Sequence, residues 1–85
     1  MQTDVQAQLV PIWQELLGVQ EISPSSDFFD LGGNSLTAIK LLARVEAAFG
    51  ADALSPDALF ANPQLEQIAR SITDTLEARG ARAGG

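Results

Sequence analysis

Phe28-Phe29-Asp30-Leu31-Gly32-Gly33-Asn34-Ser35-Leu36 brings a single serine to the start of a strongly patterned helix, and the rest of the chain reads as support for it. Two adjacent glycines tolerate backbone conformations that other residues resist and leave no side-chain bulk around the residue that follows, so the Ser35 hydroxyl can be reached from outside. Asn34 and Ser35 are both favoured N-cap types, which gives the stretch a second reading, a loop-to-helix transition with a capping hydroxyl and nothing more. The residue pattern alone leaves both open.

Downstream, the spacing predicts a helix over 35–49, ended by Gly50. At about 100° per residue, Ala38, Leu41, Leu42, Val45 and Phe49 share one core-facing stripe. Leu36, Ile39 and Ala43 form a second apolar group rotated well away from it, with Lys40 and Arg44 beside them. A helix with one buried face has no need of that second group. It either packs beneath the preceding loop or forms an apolar patch next to an accessible serine, rimmed by Lys40, Arg44 and Glu46, where other proteins dock.

Upstream, residues 19–34 hold Ser23, Pro24, Ser25, Ser26, Asp27, Gly32 and Gly33 and read as a long loop. Loops of this length are uncommon in small domains and are often functional. Val19, Ile22, Phe28, Phe29 and Leu31 give it something to bury, which would fix where Ser35 sits. Before it, Val5, Leu9, Ile12, Trp13, Leu16 and Leu17 follow helical spacing behind Thr3 as a capping type, predicting a helix over 4–17 ended by Gly18. Pro11 should kink that helix or delay its regular part to about Val10.

Beyond Gly50, Ser55-Pro56-Asp57 is a helix start with a capping serine and proline at the first position, predicting a short helix over 56–60 with Leu59 and Phe60 as core plugs. The same signal at Asn62-Pro63, followed by Leu65, Ile68, Ala69, Ile72 and Leu76, predicts a last helix over 63–77. Residues 80–85 have nothing to bury and are expected to form a flexible tail behind a domain of residues 1–79. No alternating run suits a paired strand. The fold class is therefore all-α, a four-helix bundle of three longer helices and one short third helix, with a long loop between the first two.

Composition narrows the function. The 85 residues suggest one domain, with no cysteine for a disulfide and no histidine for a metal site or a Ser-His-Asp relay. Hydrolysis by Ser35 alone is thus disfavoured. Eleven acidic against five basic residues give a net charge of −6, which opposes binding to nucleic acid or an anionic membrane. No basic leader precedes an apolar run and no apolar stretch is long enough to span a bilayer, so the expected location is the cytoplasm. Asp27 and Asp30 could be weighed as an acid/base pair or a magnesium site, but loop acids near a helix N-terminus more simply interact with its dipole. The glycine pair lacks the lysine and spacing of a phosphate-cradling loop. What survives is an accessible serine better suited to being modified than to catalysing, at a terminus where an anionic ester is electrostatically welcome.

In Asp27-Phe28-Phe29-Asp30-Leu31-Gly32-Gly33-Asn34-Ser35-Leu36, the run from Phe28 to Leu36 is similar to the F-F-x-L-G-G-x-S-L part of the D-x-F-F-x-L-G-G-x-S-L motif of peptidyl carrier protein domains of nonribosomal peptide synthetases, within the acyl carrier protein superfamily. Ile12-Trp13, Leu17-Gly18-Val19, Leu59-Phe60 and Pro63 extend the resemblance over nearly the whole chain, with Asn34 standing where many members have histidine or aspartate. The resemblance implies a non-catalytic carrier on which Ser35 accepts 4′-phosphopantetheine from coenzyme A through a separate, magnesium-using phosphopantetheinyl transferase. The thiol of that arm would hold an aminoacyl, peptidyl or acyl group as a thioester. Asp30, Gly32, Gly33 and Asn34 would support the motif, and Leu36, Ile39, Lys40 and Ala43 would meet partners. Those partners are the transferase, adenylation or acyl-loading enzymes, and condensation, ketosynthase, acyltransferase or thioesterase domains, with the carrier itself a monomer. The glycine pair points to the peptidyl rather than the fatty-acid type. A polyketide-type acyl carrier and an unmodified helical interaction module are the alternatives.

Overall fold

The computed structural model describes the backbone of residues 2–84 and the side-chain surroundings of residues 5–79. Four helices follow one another: α1 (Gln2–Leu17), α2 (Ser35–Phe49), α3 (Pro56–Ala61) and α4 (Leu65–Gly84). α1 packs against both α2 and α4, and α3 packs against α4. The only pairing of β type among the described residues is an isolated antiparallel bridge between Asp27 and Gln64. The all-α four-helix architecture is the one the periodicity predicts.

Each long helix contributes one stripe to a single core. Val5, Leu9 and Trp13, spaced four apart on α1, are buried against Ala38, Leu41 and Val45 of α2 and Leu65, Ile68 and Ile72 of α4. Leu42 and Phe49, expected in the same stripe, lie at its edge and are half-buried. Burial of side chains on both sides of Pro11 holds α1 together despite the lost backbone hydrogen bond. α1 is accordingly helical from Gln2 onward, with Pro11 exposed, and does not wait until Val10 to become regular. The cap expected of Thr3 lies outside the described side chains.

Three features differ from the sequence reading, two at the ends of α4 and one in α3. Asn62-Pro63 does not start α4: the Asn62 N–H closes the end of α3 on Ala58 O at 3.1 Å, and Pro63 O accepts from Phe28 N at 2.9 Å. The helix begins at Leu65 because the long loop supplies its cap, with Leu65 N donating to Ser26 O and Glu66 N to Pro24 O, both at 2.9 Å. At its other end α4 extends to Gly84, beyond the bound near Glu77 that the sequence predicts. Ala81, Arg82 and Ala83 are strong helix formers and no proline interrupts them.

The third difference is Phe60. Leu59 is fully buried, but Phe60 is 52% exposed and does not plug the core. A helix as short as α3 turns only one face inward, and Leu59 occupies it. Ser55 caps α3 as predicted, its Oγ accepting from Ala58 N at 3.1 Å.

Candidate functional site

The loop that delivers Ser35 is held by hydrogen bonds along most of its length. Ser23 and Ser26 close a turn around Pro24-Ser25, Ser26 N donating to Ser23 O at 3.0 Å and Ser23 N to Ser26 Oγ at 2.9 Å. Asp27 then organises the next turn. Its Oδ1 accepts from Phe29 N at 2.8 Å and Asp30 N at 3.1 Å, and its carbonyl accepts from Leu31 N at 3.1 Å. The Asp27 carboxylate therefore serves its own loop rather than the dipole of α2. Asp30 is exposed and contributes its backbone N–H to that turn.

Aromatic rings anchor the loop to the core. Trp13 and Phe28, both fully buried, meet edge to face at 5.2 Å between centroids, and Phe28 meets Phe29 the same way at 5.5 Å. Phe29 in turn stacks on Phe60 at 5.6 Å, so a continuous row of rings runs from the core to the surface. Sequence reasoning missed this use of Phe60; the one available signal was that α3 is too short to bury two adjacent large side chains.

The two glycines are needed for different reasons. Gly32 has φ of +106°, a conformation other residues rarely adopt, while a side chain there would meet open space. Gly33 is required by closeness, because a Cβ on it would lie 2.6 Å from the Phe28 ring. The missing bulk at Gly33 thus accommodates Phe28, where the sequence reading had it clear the way to the serine.

Access to Ser35 comes from Asn34. Asn34 is the N-cap of α2, with extended backbone, and its Oδ1 accepts from Thr37 N at 2.9 Å and Thr37 Oγ1 at 3.0 Å. Ser35 is consequently the first residue of the helix, exposed, and its hydroxyl has no hydrogen-bond partner among the described residues. The two sequence readings are resolved: the cap is there, and Asn34 makes it.

On α2, Leu36 and Ile39 are 63% and 62% exposed, so they do not pack beneath the loop. Lys40 and Ala43 are exposed beside them. At about 100° per residue these four span an arc opposite the buried Ala38, Leu41 and Val45, with Ser35 at its margin. Shallow grooves flank the arc, one toward α1 lined by Glu15, Leu16, Thr37 and Arg44, the other toward α3 lined by Leu42, Glu46 and Leu54. Arg44 is engaged in an ion pair with Glu15 across to α1. No helix of the described residues is long and apolar enough to cross a membrane.

A small helical bundle that offers an unengaged serine at a helix terminus, with an apolar face beside it, suits a carrier protein. The comparisons agree: residues 7–72 match the family described as "Phosphopantetheine attachment site", and the chain belongs to that family, as a carrier domain of the peptidyl carrier type. It is 42% identical over 69 residues to phosphinothricin tripeptide synthetase PhsC of Streptomyces viridochromogenes, covering 81% of this chain and 6% of that protein. It is 39% identical over 79 residues to tyrocidine synthase 2 of Brevibacillus parabrevis, covering 93% of this chain and 2% of that protein. The chain thus spans a small part of these relatives. Among solved structures, BlmI, a type-II acyl carrier protein from Streptomyces verticillus involved in bleomycin biosynthesis, superposes with a TM-score of 0.81 at 33% identity over 88% of this chain and 89% of that one. A chain in the structure of the phosphopantetheine transferase Sfp with coenzyme A and a peptidyl carrier protein matches with a TM-score of 0.78 at 31% identity, covering 82% and 90%.

Proposed function

We propose that Ser35 is the attachment point for 4′-phosphopantetheine and that the chain carries aminoacyl, peptidyl or acyl groups between the enzymes of a peptide-synthetase assembly. The observation that carries this reading is the Ser35 hydroxyl itself, exposed and unpartnered at the first position of α2 because Asn34 has taken over the cap. In the attachment step Ser35 Oγ forms a bond to the pantetheine-bearing phosphorus of coenzyme A. The pyrophosphate bond breaks, adenosine 3′,5′-bisphosphate leaves, and the hydroxyl proton passes to a base of the transferase. The residues fit an anionic ester, since the Ser35 and Leu36 N–H groups at the start of α2 have no acceptor among the described residues and that turn holds no acidic side chain. Once attached, the arm supplies a terminal thiol that holds the cargo as a thioester.

The chain's own part is to position and present. Asp27, Gly32, Gly33 and the row of rings fix the loop, and Leu36, Ile39, Lys40 and Ala43 form the face on which the transferase, loading, condensing and releasing enzymes dock in turn. Catalysis belongs to those partners, and in this reading the carrier works beside them in the cytoplasm. Its relatives among peptide synthetases support an aminoacyl or peptidyl cargo over a fatty acyl one. Intact mass spectrometry after incubation with coenzyme A and a broad-specificity phosphopantetheinyl transferase tests the reading. The wild-type chain should gain one phosphopantetheine, and Ser35→Ala none. Equal gain by both, or gain by neither, would overturn it.

A further inference from the structure

The hydrogen bonds at Asn34 fix which way its amide points. Thr37 N–H can only donate, so the atom facing it at 2.9 Å has to be the amide oxygen, and Thr37 Oγ1 donates to that same oxygen at 3.0 Å. Both protein partners of the side chain therefore hold Oδ1. The Nδ2 group, with two N–H donors, has no protein partner among the described residues and belongs to an exposed residue next to Ser35 in the chain. The N–H groups of Ser35 and Leu36 likewise lack an acceptor among the described residues, as the first donors of a helix do.

Charge points the same way. The first turn of α2 carries no acidic side chain, and the cap is neutral. An aspartate at position 34 would accept from Thr37 equally well, but it would offset the positive end of the helix and set a second negative charge beside an anionic ester. Asparagine closes the helix without doing either, and it adds a donor.

We infer that the Asn34 side-chain amide donates a hydrogen bond to the phosphodiester of the group attached to Ser35, holding the base of the arm against the N-terminus of α2. The inference rests on the reading of Ser35 as the attachment serine. In it Thr37 is a positioning residue that locks the amide through its oxygen, and Asn34 Nδ2 touches the phosphate.

The test compares 15N-labelled apo and holo protein, with conversion checked by intact mass. The chain has two asparagines, and Asn62, at the far end of α3, is an internal reference. On conversion the Asn34 NH2 resonances should shift downfield and exchange with water more slowly, while those of Asn62 stay in place. Asn34→Gly is tolerated at an N-cap and removes the side-chain donors, so its helicity should stay close to wild type while the 31P resonance of its holo form moves away from the wild-type position. A holo protein with Asn34 resonances unchanged from apo, or with the same 31P resonance in Asn34→Gly, overturns the inference and leaves the attachment at Ser35 standing. Absence of any mass gain overturns the attachment itself, and the inference with it.

Discussion

Gly33 lies directly against Phe28: a Cβ built on it would stand 2.6 Å from two ring carbons and 2.7 Å from the Phe28 carbonyl oxygen, the same oxygen that accepts the Gly33 N–H at 3.0 Å. The ring has nowhere to retreat, since it is fully buried between Trp13 and Phe29. Gly33→Ala must therefore displace either the ring or the backbone leading to Ser35. Overpacking of this kind costs about 1–3 kcal/mol, which in a domain of this size lowers Tm by roughly 4–8 °C for each kcal/mol. Thermal unfolding followed by circular dichroism measures it, and an unchanged Tm would show that the close approach does not constrain the loop.

Asp27 should matter through its oxygen rather than through proximity to Ser35. Asp27→Ala leaves the Phe29 and Asp30 N–H groups without their acceptor and is expected to destabilise by about 1–3 kcal/mol. Asp27→Asn retains an oxygen in the same place and should recover most of that loss. Urea denaturation of the two variants separates a turn-closing role from a purely electrostatic one, because equal losses would favour the latter.

Leu59 and Phe60 are neighbours in sequence with opposite surroundings, fully buried and 52% exposed. Leu59→Ala should cost about 2–5 kcal/mol, as for other buried leucines. Phe60→Ala should cost about 1 kcal/mol, the scale of its stacking on Phe29. If the two losses measured by urea titration were equal, Phe60 would have to be a core residue after all.

How much of this was legible in the sequence depends on where each residue's partners lie. α2 was readable at both ends because its signals are local: Asn34 before it, Gly50 after it, and an apolar stripe between. Ser55-Pro56 marked α3 for the same reason. Asn62-Pro63 carries a similar local signal, yet α4 begins two residues later because carbonyls from Pro24 and Ser26, far away in the chain, cap it. The serine and the exposed group on α2 could be located from periodicity, while the division of labour that frees Ser35 could not. Two adjacent capping types look equivalent until the Thr37 N–H is seen to bond to Asn34. Gly33 is similar, since only the fold brings Phe28 against it.

Ile39 tests the docking face independently of the serine. It is 62% exposed on the arc opposite the core of α2, so a charge there buries nothing, and Ile39→Asp should leave helicity intact and stability within about 0.5 kcal/mol of wild type. The few side chains that carry an interface each cost more than about 1 kcal/mol when removed, and with Ile39 as one of them the loss is roughly tenfold in affinity at about 1.4 kcal/mol. Phosphopantetheine transfer and subsequent loading by a partner enzyme should therefore slow by about that factor at limiting carrier concentration, although the Ser35 hydroxyl is untouched. Ala78→Asp, an equal charge on an exposed position of α4, should leave both rates as they are. Equal slowing by the two variants would reduce the effect to net charge, and loss of the circular dichroism signal in Ile39→Asp alone would place Ile39 in the core.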